Sequence, residues 1–275
     1  MIDLRNPALP VNLGTYATPA GGDVATHDAQ VDGSGLVWVV GFGGTAGYRL
    51  PRAYKGNGLG TLVAKTDPSG NSTYFDELGL GDGGKPNDFI HHNSFRARRD
   101  DVVFVTEEDY TRPGCRGAGS FQAWKLPVRR GTPTGADLTF IDDWTTELLA
   151  DTANPAAVCS AHYFDVRGDV VAQGWYEQGV RFLDVSNPAG IRQIGFFVPP
   201  TSATWAAYFA PTDLTGEIVY SLDASRGIDV LRFEDTADPA AAPRVAAPIR
   251  AEWRSGAPTE GAPSAAFGYA CRISL

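Results

Sequence analysis

Histidine, cysteine, basic charge and long apolar runs are all scarce in this chain, and each shortage narrows what it can be. Lys and Arg number 23 against 32 Asp and Glu, a net charge of −9. That balance argues against nucleic acid or an anionic membrane surface as the main partner, since both reward a basic face. No stretch of about 18 apolar residues exists, so no membrane insertion by a helix is expected. The three cysteines, Cys115, Cys159 and Cys271, leave at least one unpaired within the chain. Helical periodicity is poor throughout, with room for one turn at Thr145–Ala150. No signal peptide is visible. Met1, however, directly precedes a segment that reads as the third strand of a repeat unit. The expectation is therefore a fragment of a longer chain, and the missing leader carries little weight.

What the chain has in quantity is apolar residues, 43%, with Gly 32 and Pro 19 spread between short β-rich runs. That composition excludes a disordered chain and fits many tight turns. It also has a repeat. Residues 183–197 align with residues 2–16 without a gap. Asp184 matches Asp3, Asn187-Pro188-Ala189 matches Asn6-Pro7-Ala8, Gly195 matches Gly14 and Phe197 matches Tyr16. Each copy is a β-rich run, an Asn-Pro turn and a second β-rich run.

The clearest unit runs from Ala161 to Pro199 and contains four short strands, A to D, at His162–Val166, Val170–Glu177, Gly179–Val185 and Ile191–Val198. Four antiparallel strands in a period of roughly 40 residues are the cue for a propeller blade. One earlier unit runs from His27 through Leu36–Phe42, Gly47–Leu50 and Tyr74–Leu78, with Pro51–Gly70 read as an inserted loop. The next runs from His91 through Val102–Glu107, Ser120–Leu126 and Leu138–Trp144. A last one begins at Trp205 and continues through Glu217–Asp223 and Gly227–Phe233. Residues 2–7 and 10–17 read as strands C and D of a blade lacking A and B. The expected fold is an all-β propeller of four-stranded antiparallel blades, four to five in number, over residues 1–235. An Ala/Pro-rich segment, 236–275, follows and is expected to dock on the ring or close it.

All four histidines fall at one place in this repeat. His27 lies nine residues before Leu36, His92 ten before Val102 and His162 eight before Val170, each at the start of strand A. In a propeller strand A is innermost, so three blades point an imidazole toward one mouth of the central channel. Three converging imidazoles are a sufficient shell for zinc, copper or iron. The other reading is a structural histidine that each blade inherits from a common unit. His91 is expected to point away from His92, because successive side chains alternate in a strand.

The B–C turns rim the same mouth and bring Glu107, Glu108 and Glu177, which either orient a ligating histidine or act as acid or base. Asp223 and Arg226 come from the last blade as binding candidates. Trp175 and Trp205 either stack on a ligand at that mouth or fill the core between blades. Cys115 and Cys159 belong to the same end of neighbouring blades. They are either a disulfide, which argues for an oxidising compartment, or two free thiols. Three functions stay open: a metalloprotein on His27, His92 and His162, a non-catalytic binding module, and a metal-free hydrolase or lyase on carboxylates. The expected partner is a small molecule, or a protein or glycan ligand, at the channel mouth.

Gly174-Trp175, the run Gly179-Val180-Arg181-Phe182-Leu183-Asp184-Val185-Ser186-Asn187-Pro188, Ile194-Gly195-Phe196-Phe197 and Gly227-Ile228-Asp229-Val230-Leu231 together resemble the LVIVD-repeat β-propeller proteins of bacteria. Cys159-Ser160-Ala161-His162-Tyr163-Phe164 is similar to the form in secreted actinobacterial members. The likeness is good over 159–233, recognisable at 2–31 and weak elsewhere. It implies a propeller outside the cell or at its envelope, and no particular reaction. A more distant analogy exists with metal-binding propellers of the selenium-binding and methanethiol-oxidising type, whose channel histidines hold a metal. That analogy rests on fold and histidine placement alone.

Overall fold

The computed structural model describes residues 2–12, 26–41, 44–49, 60–66, 90–97, 101–108, 119–130, 132–146 and 160–233. Four antiparallel sheets are arranged as a four-bladed β-propeller. Blade 1 is β3 (Thr26–Val31), β4 (Leu36–Gly41), β5 (Gly44–Arg49) and β6 (Thr61–Lys65), in spatial order β3-β4-β5-β6. Blade 2 is β7 (Ile90–Ala97), β8 (Val102–Glu108), β9 (Phe121–Lys125) and β12 (Thr139–Trp144). Between its last two strands a small hairpin, β10 (Val128–Arg129) with β11 (Thr132–Pro133), is inserted. Blade 3 is β13 (Phe164–Arg167), β14 (Val170–Gly174), β15 (Val180–Asp184) and β16 (Arg192–Phe197). Blade 4 shows three strands among the described residues: β17 (Thr204–Phe209), β18 (Ile218–Asp223) and β19 (Gly227–Arg232). The N-terminal strands β1 (Ile2–Asp3) and β2 (Val11–Asn12) pair only with each other among the described residues.

The apolar pattern explains why sheets pack face to face around a ring. Each strand away from the rim is covered on both sides, so it reads as a continuous apolar run rather than an alternation. β8 shows this residue by residue. Val103 and Val105 join Leu36, Trp38 and Trp124 in the core between blades 1 and 2. Val102 and Phe104 face the other way, into the core with Phe164, Val171, Trp175 and Leu183 of blade 3. A third core joins Ala172, Val180 and Phe182 to Ala207, Phe209 and Val219 of blade 4. Burying a side chain such as Phe104 stabilises by about 1.5–3 kcal/mol. The backbones also touch between blades, through parallel bridges at Thr66–Leu138 and Tyr163–Ala206.

Two glycines permit close backbone approaches, one between blades and one within blade 3. A Cβ on Gly174 would stand 2.8 Å from the Ala206 nitrogen of the next blade. Gly179 has φ +71°, and a Cβ there would stand 2.1 Å from the Phe197 carbonyl oxygen. Only glycine fits both conditions.

The structure corrects the strand reading in blade 1. Its fourth strand is Thr61–Lys65, inside the stretch read as an inserted loop. Val63 and Ala64 of this run are buried in the interblade core, which anchors it as a strand. The expected strand at Tyr74–Leu78 lies outside the described residues. So do Cys115, Cys159, Cys271 and the segment 236–275. At the N-terminus the first strand is shorter than 2–7, because the Asn6 carbonyl and side chain accept from Leu9 and Ala8 to form the turn; of the strand expected at 10–17, Val11–Asn12 is a strand and residues 13–17 lie outside the described residues. Of the helical turn considered at Thr145–Ala150, Thr145 and Thr146 are not helical and the rest lie outside the described residues.

Candidate metal centre

His27 is on β3, His92 on β7, and His162 lies two residues before β13. These are the innermost strands, and the His92 imidazole stands between the other two. The His92 ring lies 4.0 Å from the His27 ring and 3.9 Å from the His162 ring, centroid to centroid. The Glu108 carboxylate enters from the end of β8. Its Oε2 is 3.6 Å from His92 Nε2 and 4.0 Å from His27 Nε2, and its Oε1 is 3.5 Å from His162 Nε2. His27, His92 and Glu108 each present one donor atom within 4.8 Å of the others.

Strand parity delivers the carboxylate. Glu108 shares the face of Val102 and Phe104, toward blade 3, while Glu107 shares the face of Val103 and Val105, toward blade 1. Accordingly Glu108 reaches His162 and accepts a hydrogen bond from the Tyr176 hydroxyl. Glu107 instead lies 3.8 Å from His91 Nε2 and accepts from Ser120 Oγ at 2.8 Å. His91 Nδ1 meets Thr45 Oγ1 at 2.8 Å. The adjacent histidines thus serve two separate polar sites, His92 on the channel and His91 between blades. A bulge at His91–Asn93 divides them.

Hydrogen bonds on the far nitrogens set the tautomers. His27 Nδ1 lies 3.1 Å from the His92 carbonyl oxygen, and His162 Nδ1 lies 2.6 Å from that of Trp205. A carbonyl only accepts, so both Nδ1 atoms carry the proton and both Nε2 atoms hold a lone pair toward Glu108. Asn93 Nδ2 donates to Asp28 at 2.8 Å and clips blades 1 and 2 together beside this contact. Gln173 Nε2 donates to the His162 carbonyl at 3.1 Å and fixes the main chain at the third histidine.

All three imidazoles are held neutral. Burial lowers His162 to about 3 and lowers His27 below its usual 6.5. His92 falls well below 6.5, through burial first and then repulsion by His162 and His27. Neutral imidazole is the metal-ligating form. Both nitrogens of His92, and Nε2 of His162, are buried without a hydrogen-bond partner. An unmet buried polar atom costs about 1–3 kcal/mol, so several together in a native core mark the position of an ion or water.

Two tyrosines belong to the site that sequence reasoning did not single out. The Tyr163 ring lies 4.4 Å from that of His92 and 4.8 Å from that of His162. Tyr176 has φ +31°, unusual for a non-glycine residue. Its turn is held by Thr204 N and Ser202 Oγ donating to the Tyr176 carbonyl at 2.8 Å each. The available signal was position: Tyr163 follows His162, and Tyr176 precedes Glu177 in the B–C turn.

The other expected site residues fall elsewhere. Neither Glu177 nor His162 is in the close group formed by His27, His92 and Glu108, although His162 borders it through the other Glu108 oxygen. Trp175 is not at the mouth; it is buried in the core of blades 2 and 3, edge-on to Trp144 at 5.3 Å. Trp205 does reach the site, stacked on His162 at 5.3 Å with an interplanar angle of 11°. The Asp223 carboxylate is committed to the backbone of Ala203, Ser225 and Arg226 and to Thr204 Oγ1. Arg226 pairs with Asp229 and lies over the Phe197 ring.

No protein-family model matches the chain, and no curated protein matches it. Among solved structures it is similar to the β-propeller domain of Cps50 (Swd1) from Myceliophteria thermophila, at 10% identity and a TM-score of 0.51. That match covers 85% of this chain and 63% of the other. The computationally designed Ika4 protein matches at 12% identity and a TM-score of 0.45, over 78% of this chain and 94% of that one. The computationally designed Ika8 protein matches at 11% identity and a TM-score of 0.41, over 76% of this chain and 46% of that one. The likeness to the Cps50 domain shows the β-propeller fold and nothing of function.

Proposed function

We propose that this protein is a metal-binding β-propeller whose ion is held by His27, His92, His162 and Glu108 at one mouth of the channel. The observation that carries the reading is the close group of His27, His92 and Glu108, whose donor atoms all lie within 4.8 Å, with the His162 nitrogen beside the other Glu108 oxygen. Ligand atoms around a tetrahedral ion with bonds of about 2.0–2.1 Å stand about 3.4 Å apart. The Glu108 Oε2 contacts of 3.6 Å to His92 and 4.0 Å to His27 are close to that edge length, while His162 Nε2 stands 3.5 Å from the other oxygen. The donor set suits zinc, copper or iron and disfavours magnesium or calcium, which take oxygen ligands. In this reading Glu108 is a ligand rather than a base, with Tyr176 orienting its second oxygen. Trp205 and the His92 carbonyl orient the imidazoles. The bound ion would supply Lewis-acid or one-electron chemistry, according to its identity. The motifs shared with LVIVD-repeat propellers support a propeller of that kind and bring no reaction with them.

The test is metal content by mass spectrometry on untagged protein purified without added metal, beside His92→Ala and Glu108→Gln. About one equivalent of a transition metal per chain is expected in the parent protein, lost or sharply reduced in both variants. No stoichiometric metal, even after reconstitution with zinc, copper or ferrous iron, overturns the reading.

A further inference from the structure

The innermost strands that begin at the histidines end at the opposite mouth of the channel, and a cavity of about 440 Å³ opens there. Its walls are largely apolar, formed by Val31, Phe95, Ala97, Val166, Val185 and Pro188 from three blades. Small-molecule sites have this character, with a few fixed polar groups among apolar walls. Two such groups here are unmet. Ser94 is 1% exposed, and its Oγ has no hydrogen-bond partner. The Arg96 side chain is 8% exposed, and its Nε has none either.

The rest of the Arg96 guanidinium is committed. One terminal nitrogen donates to Asp32 at 3.0 Å and to Ser34 Oγ at 3.1 Å, and the other donates to Asp101 at 3.0 Å. Arg96 is therefore held in place by two carboxylates and a hydroxyl, and its Nε–H is left without a partner. Asp32 is saturated in turn, by Ser34 N and Oγ, Leu36 N, Trp38 Nε1 and Arg96. A cationic ligand finds no unmatched charge at Asp32. An anionic ligand meets two carboxylates in the lining, Asp32 and Asp169. The lining thus disfavours an anion, and Ser94 Oγ and Arg96 Nε remain as polar groups to be met by an uncharged acceptor. A cavity of about 150 Å³ in another protein already admits benzene, so this volume holds a ring with substituents.

We propose that this cavity is a second ligand site, distinct from the histidine cluster, for a small uncharged molecule with an apolar body and a hydrogen-bond acceptor met by Arg96 Nε–H and the Ser94 hydroxyl. A ketone, ester or alcohol of aromatic or alicyclic type has this chemistry. The occupant exchanges apolar burial for water and satisfies donors that otherwise stay unmet.

The probe is acetophenone, titrated into the chelator-treated full chain and followed by calorimetry and ligand-observed NMR. Ethylbenzene removes the acceptor at similar shape, and benzoate and benzylammonium add charge. Saturable binding of acetophenone is expected, with ethylbenzene, benzoate and benzylammonium each at least about 5-fold weaker. Ser94→Ala is expected to weaken acetophenone about 5-fold. Val31→Trp, at an exposed rim position, is expected to abolish binding by filling the cavity. Circular dichroism and melting curves confirm that both variants are folded. Absence of saturable acetophenone binding, its retention by either folded variant, or comparator binding as tight as acetophenone overturns the proposal. Because the metal has been removed, failure here is separate from failure of the metal assignment.

Discussion

Trp205 holds His162 in two ways at once: its carbonyl receives the Nδ1 proton at 2.6 Å, and its indole lies nearly parallel to the imidazole, 11° off at 5.3 Å. The fourth blade therefore contributes an aromatic clamp where the other three contribute an imidazole. The indole Nε1–H is itself buried without a partner. Trp205→Phe keeps the carbonyl and an aromatic face and removes that unmet donor. Its stability is expected to match the parent or exceed it by about 1 kcal/mol, with metal content unchanged. Trp205→Ala loses the stack and is expected to weaken metal binding about 10-fold. Thermal melts and competitive metal titrations read both effects. Loss of metal from the Phe variant would show that the indole N–H, rather than ring and carbonyl, matters.

Tyr176 places a phenol on the Glu108 carboxylate from a turn with φ +31°. Such a backbone costs about 1–3 kcal/mol and persists when its surroundings over-determine it. Tyr176→Phe keeps the ring edge against His162, 4.9 Å away. It removes only the hydroxyl. The fold is expected to persist while metal affinity falls about 10-fold, as carboxylate orientation is lost. An affinity equal to the parent's, in the same competitive titration, would reduce Tyr176 to packing.

Gly179 and Gly168 separate steric overlap from backbone strain. Both have positive φ, +71° and +61°. A Cβ at Gly179 meets the Phe197 oxygen at 2.1 Å, whereas at Gly168 it meets nothing within 4 Å. Gly168→Ala is expected to destabilise by about 1 kcal/mol, the dihedral term alone. Gly179→Ala should exceed it by about 2 kcal/mol or more, because β16 must move away from β15. Urea unfolding midpoints measure the difference. Equal midpoints would mean that the Phe197 carbonyl yields without resistance.

The ring and the histidine cluster were legible because both follow from periodicity. Repeat spacing gave four strands per blade, and the shared position of His27, His92 and His162 gave their convergence. Strand alternation also separated His91 from His92. Three things were not legible, for physical reasons. Thr61–Lys65 hides in a Gly- and Pro-rich stretch, and only burial of Val63 and Ala64 makes it a strand. Trp175 is indistinguishable from a mouth residue by spacing, since it lies one residue beyond β14; contact with Trp144 decides its side. Tyr176 reaches Glu108 across 68 positions of chain, a contact no local pattern encodes.

The second polar site, between blades 1 and 2, governs stability against pH. Glu107 is fully buried, and burial, opposed by hydrogen bonds from Ser120 and Gln122 and aided by the Asp143 charge, raises it from 4.5 to about 7. A carboxyl raised on folding adds stability that is complete below its unfolded value of 4.5 and lost as pH climbs through 7. His91 runs oppositely. Burial lowers it to about 3, so its contribution is present above 6.5 and is lost as pH falls toward 3. Glu107→Gln supplies a permanently neutral group that still accepts from Ser120. The parent's stability relative to this variant should therefore fall by on the order of 3 kcal/mol between pH 4.5 and 7.5. His91 and Asp143 are common to both proteins and cancel to first order. Chemical denaturation of both, with chelator present throughout, traces the difference. Parallel curves would mean that Glu107 keeps its ordinary titration, and that the Ser120 contact compensates its burial fully.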